Sequence, residues 1–398
     1  MRKRRYDWPV LGRKRGGVSW AVIGIGYGAG AAIALCLWAA LHGGAAGDAA
    51  GQALPREDAI REKGASSTAR PSISAGKSDP DETEITGGRE GGKGRADEGN
   101  EPSAYEQPRI SVYLSKTGKV ETVPLETYVQ GVVAAEMPLE FRPAALEAQA
   151  VAARTYAVRR LRLGERTGPE AQGADVTDTQ EHQAYLSVAE MKRLKTDDRA
   201  GWEKVRDAAA ATMGQILVYG DEPIEALFFS TSNGYTENSE EVFSVKRPYL
   251  RSVESPWDRA ISDRAEETIE MELSEFYERL GIETVAAGGN AAAAERVRVL
   301  ERTEGHRVKT MLAGDRRLDG TEVRRLLGLR SAAFDWKIAG GKAVLTVRGY
   351  GHGVGMSQWG AEGMAREGNN ASRILAHYYK GARLEQVSKL ANASENRL

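Results

Sequence analysis

Gly131-Val132-Val133-Ala134-Ala135-Glu136-Met137-Pro138, followed by Gln149-Ala150-Val151-Ala152-Ala153-Arg154-Thr155-Tyr156, is the stretch on which the reading of this chain turns. The apolar spacing of Leu125, Val129, Val132 and Val133 predicts a helix over 125–136. Pro138 closes it, because a proline pushes the residue before it toward extended backbone. Pro143 in its first turn opens a second, alanine-rich helix, which runs to Leu163 and ends at Gly164. Glu136 is a lone carboxylate in apolar surroundings. Burial penalises the ionised form, and a carboxyl that keeps its proton near neutral pH is what a general acid needs to protonate a glycosidic oxygen. A carboxylate that merely caps or solvates a helix end would explain the same residue.

Moving outward, Ile110 to Leu114 alternates as a strand, Lys116 to Lys119 forms a turn, and Val120 to Val123 is a second strand. On the other side, Val205 to Met213 is helical, and strands 215–219 and 224–229 flank a turn at Gly220 to Pro223. After Trp257 the elements shorten: helices at 273–280 and 320–327, strands at 296–301 and 343–347, and an Ala/Gly-rich loop at 286–294. The last strand leads into a glycine loop, then helices at 357–366 and 371–379. The pattern predicts an α+β fold: a two-lobed extracytoplasmic domain with a cleft, its lobes at 106–260 and 261–385 and a tail at 386–398.

The preceding third of the chain has another character. Residues 1–17 are basic, with Arg2, Lys3, Arg4, Arg5, Arg13, Lys14 and Arg15 against Asp7 alone. Val18 to Leu41 carries no charge and at about 1.5 Å per residue is long enough to cross a bilayer core. The basic cluster before the span places the N-terminus in the cytoplasm and everything after Leu41 outside. A retained single-pass anchor in the cell membrane is the expectation, with a cleaved signal peptide near Ala45-Ala46-Gly47 as the alternative. Residues 42–105 are almost free of aromatics and rich in Gly, Ala, Ser and charged residues. Such composition buries too little to fold, and a tether of this length spans roughly 45 Å on average. A net charge of -1 gives no global pull toward nucleic acid. The only cysteine, Cys36, lies in the apolar span, so the external part has neither a disulfide nor a cysteine zinc site.

Three further segments carry polar chemistry. Thr177-Asp178-Thr179-Gln180-Glu181-His182-Gln183-Ala184-Tyr185 holds Glu181 and His182, conceivable metal ligands. Without a second histidine at i+4 a solvated loop is the better reading. Phe229-Ser230-Thr231-Ser232-Asn233-Gly234, with Thr236-Glu237-Asn238 after it, is dense in hydroxyls and amides suited to sugars or to ordinary turns. Gly349-Tyr350-Gly351-His352-Gly353-Val354-Gly355-Met356-Ser357-Gln358-Trp359-Gly360 follows a strand and opens a helix. Its spacing and its place near the C-terminus make a dinucleotide site a poor match. A close approach of backbone to ligand, with His352 and Gln358 as polar handles, or a tight structural turn would each account for it.

Taken in order along 110–385, these motifs resemble the SpoIID family (the SpoIID/LytB domain) of sporulation-associated peptidoglycan lytic transglycosylases. The resemblance implies that Glu136 is the catalytic residue. Glu237 is the next carboxylate to consider should Glu136 prove dispensable. It implies glycan contacts from Arg154, Tyr185, Ser230, Ser232, Asn233, Glu237, His352 and Gln358. Some members bind zinc through cysteines that this chain lacks, so neither metal nor cofactor is expected. The implied reaction cuts between N-acetylmuramic acid and N-acetylglucosamine and leaves a 1,6-anhydromuramoyl end. The implied role is septal wall remodelling during engulfment, beside a cell-wall amidase and other membrane proteins of an engulfment complex. The alternative is a non-catalytic, glycan-binding enhancer of an amidase.

Overall fold

The computed structural model describes residues 108–282 and 296–389. The basic segment, the apolar span, the tether and the 286–294 loop expected from the sequence lie outside them. Among the described residues no helix is long and apolar enough to cross a membrane.

The structure is mixed α and β. Strands β1 (Arg109–Leu114) and β2 (Lys119–Pro124) form a hairpin that leads into helices α1 (Leu125–Glu136) and α2 (Pro143–Leu163). Strand β3 (Val176–Thr177) lies parallel to β1, and helices α3 (Val188–Asp197) and α4 (Arg199–Ala211) follow. Strands β4 (Gln215–Tyr219), β5 (Glu222–Pro223) and β6 (Phe228–Phe229) come next, then the short helices α5 (Glu240–Phe243) and α6 (Asp258–Ile261). A second group comprises β7 (Glu266–Glu272), α7 (Leu273–Arg279), β8 (Val297–Arg302), β9 (Val308–Ala313), β10 (Arg316–Asp319), α8 (Gly320–Leu327), β11 (Phe334–Ala339) and β12 (Lys342–Arg348). The chain closes with β13 (Met356–Ser357), α9 (Gln358–Arg366), α10 (Ala371–Tyr378) and β14 (Arg383–Gln386).

Helix α2 is the centre of the first group. Pro143 occupies its first turn, and Gly164 ends it in the left-handed conformation at φ 64°, its N–H returning to the Arg160 and Leu161 carbonyls. Ala145, Ala148, Ala150, Ala152, Ala153 and Ala157 are all buried. Such small side chains let α1, α4, α9, α10 and β4 pack against this one helix.

Apolar side chains gather in two clusters. One joins β1, α1, α2 and β4 to Val354, Met356, Ala361, Ile374, Tyr378 and Tyr379. The other holds Phe276, Leu280, Met311, Val323, Phe334 and Leu345. The chain thus leaves the first cluster near residue 266 and returns to it after 348. The last part of the expected second lobe, 261–385, therefore packs with the first. That return brings the glycine loop and α9 toward α1. The strand expected at 224–229 is realised only at Phe228–Phe229, where it pairs in parallel with Met356–Ser357.

Candidate functional site

Glu136 is the last residue of α1 and is half-buried. Its Oε1 accepts the backbone N–H of Ala184 at 2.8 Å, and its Oε2 accepts from Gln358 Nε2 at 3.2 Å. Burial pushes its carboxyl above the usual range, while these two donors pull the other way. Three segments distant in sequence meet at this group: the end of α1, the 177–185 loop and the start of α9.

The loop is seated on α1 by local chemistry. Tyr185 stacks on Tyr128 with ring centroids 5.3 Å apart and donates its hydroxyl to Glu121 at 2.7 Å. The Tyr128 hydroxyl donates to Gln183 Oε1 at 2.9 Å, and Leu186 N–H donates to the Gly131 carbonyl at 3.1 Å. A Cβ on Gly131 would stand 2.3 Å from the Tyr185 ring, so only glycine admits the loop at this distance. Tyr128 is buried, and burial first, then Tyr156 and Glu136, push its hydroxyl well up.

Gln358 is placed from the other side. Ser357 caps α9 by accepting from Gly360 N–H, and it donates its own hydroxyl to buried Asp258. Asp258 also accepts Ser232 N–H at 2.7 Å and the Ser255 hydroxyl at 2.8 Å. Burial raises its carboxyl and these donors oppose the rise. Trp359 N–H donates to the Ser230 carbonyl, and the Trp359 ring meets Phe141 edge-on at 4.8 Å. Asp258 thus ties the Ser230–Gly234 segment to the helix that presents Gln358. Sequence reasoning missed it, because Trp257-Asp258-Arg259 carries no motif.

The expected site residues divide accordingly. Glu136 and Gln358 are in contact, Ser230 adjoins them through its backbone, and Tyr185 holds the loop from a buried position. The others are engaged elsewhere. Arg154 is 0% exposed and grips Glu126 with two bonds, Nε to Oε1 at 2.8 Å and Nη2 to Oε2 at 2.7 Å. It also donates to the Gln215 carbonyl at 3.1 Å, so it is a core residue rather than a glycan ligand. Ser232 donates its hydroxyl to the Ser255 carbonyl, and Asn233 donates to the Gly305 carbonyl. Glu237, also 0% exposed, pairs with Arg307 at 3.3 Å and accepts from Thr303 at 2.8 Å.

His352 accepts Val354 N–H on Nδ1 at 3.1 Å, which puts its proton on Nε2, donated to the Phe228 carbonyl at 3.0 Å. Burial, then Arg324 and Arg307, lower its pKa to about 4, so it is neutral near pH 7. It lines a small cavity with Glu237, Arg307 and Arg324. Gly353, at φ +89°, makes room for that same arginine: a Cβ there would fall 2.4 Å from Arg307 Cζ. Of the two readings of the glycine loop, this contact at Gly353 fits a close internal approach of backbone to a guanidinium.

His182 accepts from the Thr177 backbone N–H on Nδ1 at 3.3 Å and bonds the Thr177 hydroxyl at 2.9 Å. Among the described residues no group of three His, Cys, Asp or Glu side chains is arranged to hold a metal ion. The buried amides of Gln149 and Gln183 retain unbonded atoms.

The profile of the family described as Stage II sporulation protein matches residues 113–219, which include Glu136 and the 177–185 loop. The chain is 44% identical over 295 residues to "Stage II sporulation protein D" of Bacillus amyloliquefaciens, spanning 74% of this chain and 83% of that one. The protein of the same name in Bacillus subtilis (strain 168) is 44% identical over 284 residues, 71% of this chain and 80% of the relative. The chain belongs to the stage II sporulation protein D family. A more distant likeness, 28% over 304 residues, is to "Amidase enhancer" of Bacillus subtilis (strain 168), covering 64% of this chain and 40% of that protein. The 113–219 match ends well before Gln358, so in this stage II sporulation protein D relative the second contact to Glu136 comes from outside the matched segment.

Proposed function

We propose that the chain is a peptidoglycan lytic transglycosylase in which Glu136 serves as both acid and base. The observation that carries the reading is the setting of this carboxyl. It is half-buried, raised by that burial, and held by an amide N–H and an amide side chain. Among the described residues no second carboxylate bonds it or shifts its proton affinity. Ordinary glycosidases use two carboxylates. A reaction whose nucleophile belongs to the substrate manages with one. Protonated Glu136 gives its proton to the oxygen between N-acetylmuramic acid and N-acetylglucosamine as the bond to the muramoyl C1 breaks. The carboxylate then takes the proton of the muramoyl 6-hydroxyl, whose oxygen closes on C1. Proximity comes with the substrate. The product is a 1,6-anhydromuramoyl end and no water is consumed.

The Ala184 and Gln358 donors favour the carboxylate formed after the first transfer, while burial favours the acid before it. A group balanced between the two states suits a residue that must be each in turn. We further propose that the apolar stretch 18–41 anchors the enzyme as a single-pass protein and that the domain acts outside the membrane. It would work there in septal remodelling during engulfment, beside a cell-wall amidase. The 28% likeness to an amidase enhancer supports the competing reading, a glycan-binding partner that does not cut.

The deciding experiment is mass analysis of peptide-free glycan strands treated with the protein. Fragments ending in anhydromuramic acid support the transglycosylase. Reducing ends that have gained water identify a hydrolase, and intact strands from a protein that instead stimulates an added amidase on peptide-bearing wall identify the enhancer.

A further inference from the structure

A solvent-open cavity of about 400 Å³ lies beside the 177–185 loop, lined by Tyr113, Ser115, Arg160, Thr177, Thr179 and His182 among others. This is within the size range of small-molecule sites. One loop serves both places. Its start, Thr177 to His182, faces the cavity, and its end puts Ala184 N–H on Glu136 and Tyr185 on Tyr128. Helix α2 makes a second link, with Arg160 of the lining 6.0 Å over the Tyr156 ring and Tyr156 acting on the Tyr128 hydroxyl.

The arginines of the lining are already committed. Arg160 donates to Glu165 at 2.9 Å and to the Asp175 carbonyl at 3.0 Å, and Arg166 pairs with Asp175 at 2.8 Å. Glu170 and Glu181 complete the wall as hydrogen-bond acceptors. Burial lowers His182 to about 4, so its ring is neutral near pH 7. What the cavity offers is two carboxylate acceptors, a phenol, hydroxyls (Ser115, Thr167, Thr177, Thr179) and a neutral imidazole, with Thr167, Thr177, Thr179 and His182 also bonded within the wall. A ligand with a carboxylate of its own would find no uncommitted cation here. One with many neutral donors and acceptors finds matching groups on several sides.

We propose that this cavity is a further glycan subsite, which takes a neutral N-acetylated sugar beyond the pair joined at the bond cut by Glu136, and not the charged stem peptide. The proposal rests on the reading of the protein as acting on glycan strands.

The test uses the full chain carrying Glu136→Gln, which binds without cutting. Its affinity is measured by calorimetry for peptide-free and peptide-bearing GlcNAc-MurNAc oligomers of two, four and six sugars. The expected result is a gain of about tenfold with length, equivalent to about 1.4 kcal/mol. Adding Ser115→Trp, an exposed position at the cavity mouth, should erase that gain without moving the melting temperature. Tyr113→Leu should reduce it in a second, milder way. A length gain that survives both changes overturns the subsite. So does a gain that appears only with peptide-bearing strands and is lost in Ser115→Trp, which would assign the cavity to the peptide. Absence of binding to any glycan would instead bring down the functional reading on which the subsite depends.

Discussion

The Gln358 side-chain amide donates to Glu136 Oε2 at 3.2 Å across 222 positions of sequence. The bond joins the first residue of α9 to the last residue of α1. The catalytic acid proposed for this protein is therefore completed by a part of the chain that returns only after the whole second cluster has been built.

Glu136→Gln should lower kcat by about 10²–10⁴-fold, the usual worth of general acid–base catalysis, with glycan affinity retained. Strand cleavage followed by chromatography measures it, and activity above a tenth of wild type would move the chemistry to another group.

The same substitution should reveal the cost of burying the charge. Because the folded carboxyl is raised above its ordinary value, the native state binds more protons than the unfolded state in the interval between the two values. Wild-type stability thus falls as pH rises through that interval. The glutamine variant carries no such proton, so its advantage should be present above the folded value and vanish below the unfolded one. Urea melts at pH 4 and pH 7 read the difference. A variant less stable than wild type at pH 7 would contradict the burial argument.

Gln358→Leu removes a donor that favours the carboxylate. The proton affinity of Glu136 should rise, and the alkaline limb of the pH profile of kcat/KM, where the acid loses its proton, should move upward. A limb that stays in place or moves down would show that Gln358 does not act on Glu136.

Arg154→Ala should cost about 3–5 kcal/mol, because it leaves Glu126 buried without its partner. Arg154→Met combined with Glu126→Leu should recover most of that loss. The fraction that still folds should bind glycan like wild type, as expected of a core arginine. Weaker binding by the well-folded double variant would return Arg154 to the glycan site.

Gly131→Ala sets two effects against each other. Alanine is worth up to about 1 kcal/mol over glycine within a helix. Here, however, its Cβ would lie 2.3 Å from the Tyr185 ring and 2.7 Å from the Leu186 carbonyl. Steric displacement wins, and the displaced loop carries Ala184 N–H away from Glu136. Activity should drop at least tenfold while far-UV circular dichroism still reports the helix. Unchanged activity would separate the loop from catalysis.

Much of the framework follows from short-range rules. The limits of α1 and α2 are written in Pro138, Pro143 and Gly164, since proline and glycine act on their own and adjacent backbone. The hairpin of β1 and β2 is legible in its alternation and in the turn before Lys119. Helix α3 was not, although Ser187 and Glu190 form a capping box, because the helix buries only Met191 and shows little apolar period. Strand β7, Glu-Glu-Thr-Ile-Glu-Met-Glu, escaped for a related reason: it is mostly charged and is held by pairing along β12.

The sequence by itself determined that Glu136 would end a helix in apolar company, because helix spacing and a following proline are local matters. Only the tertiary structure decided what surrounds it. An arginine in a motif and an arginine in the core look alike along the chain, and Arg154 became the second kind because Glu126, 28 residues away, lies across the helix contact. Glu237 was claimed in the same way by Arg307, and Asp258 became the tie behind Gln358 without any motif to announce it. Hydrogen bonds and ion pairs form between groups that packing brings within about 3 Å. That packing is set by how both apolar clusters close, which no window of neighbouring residues contains.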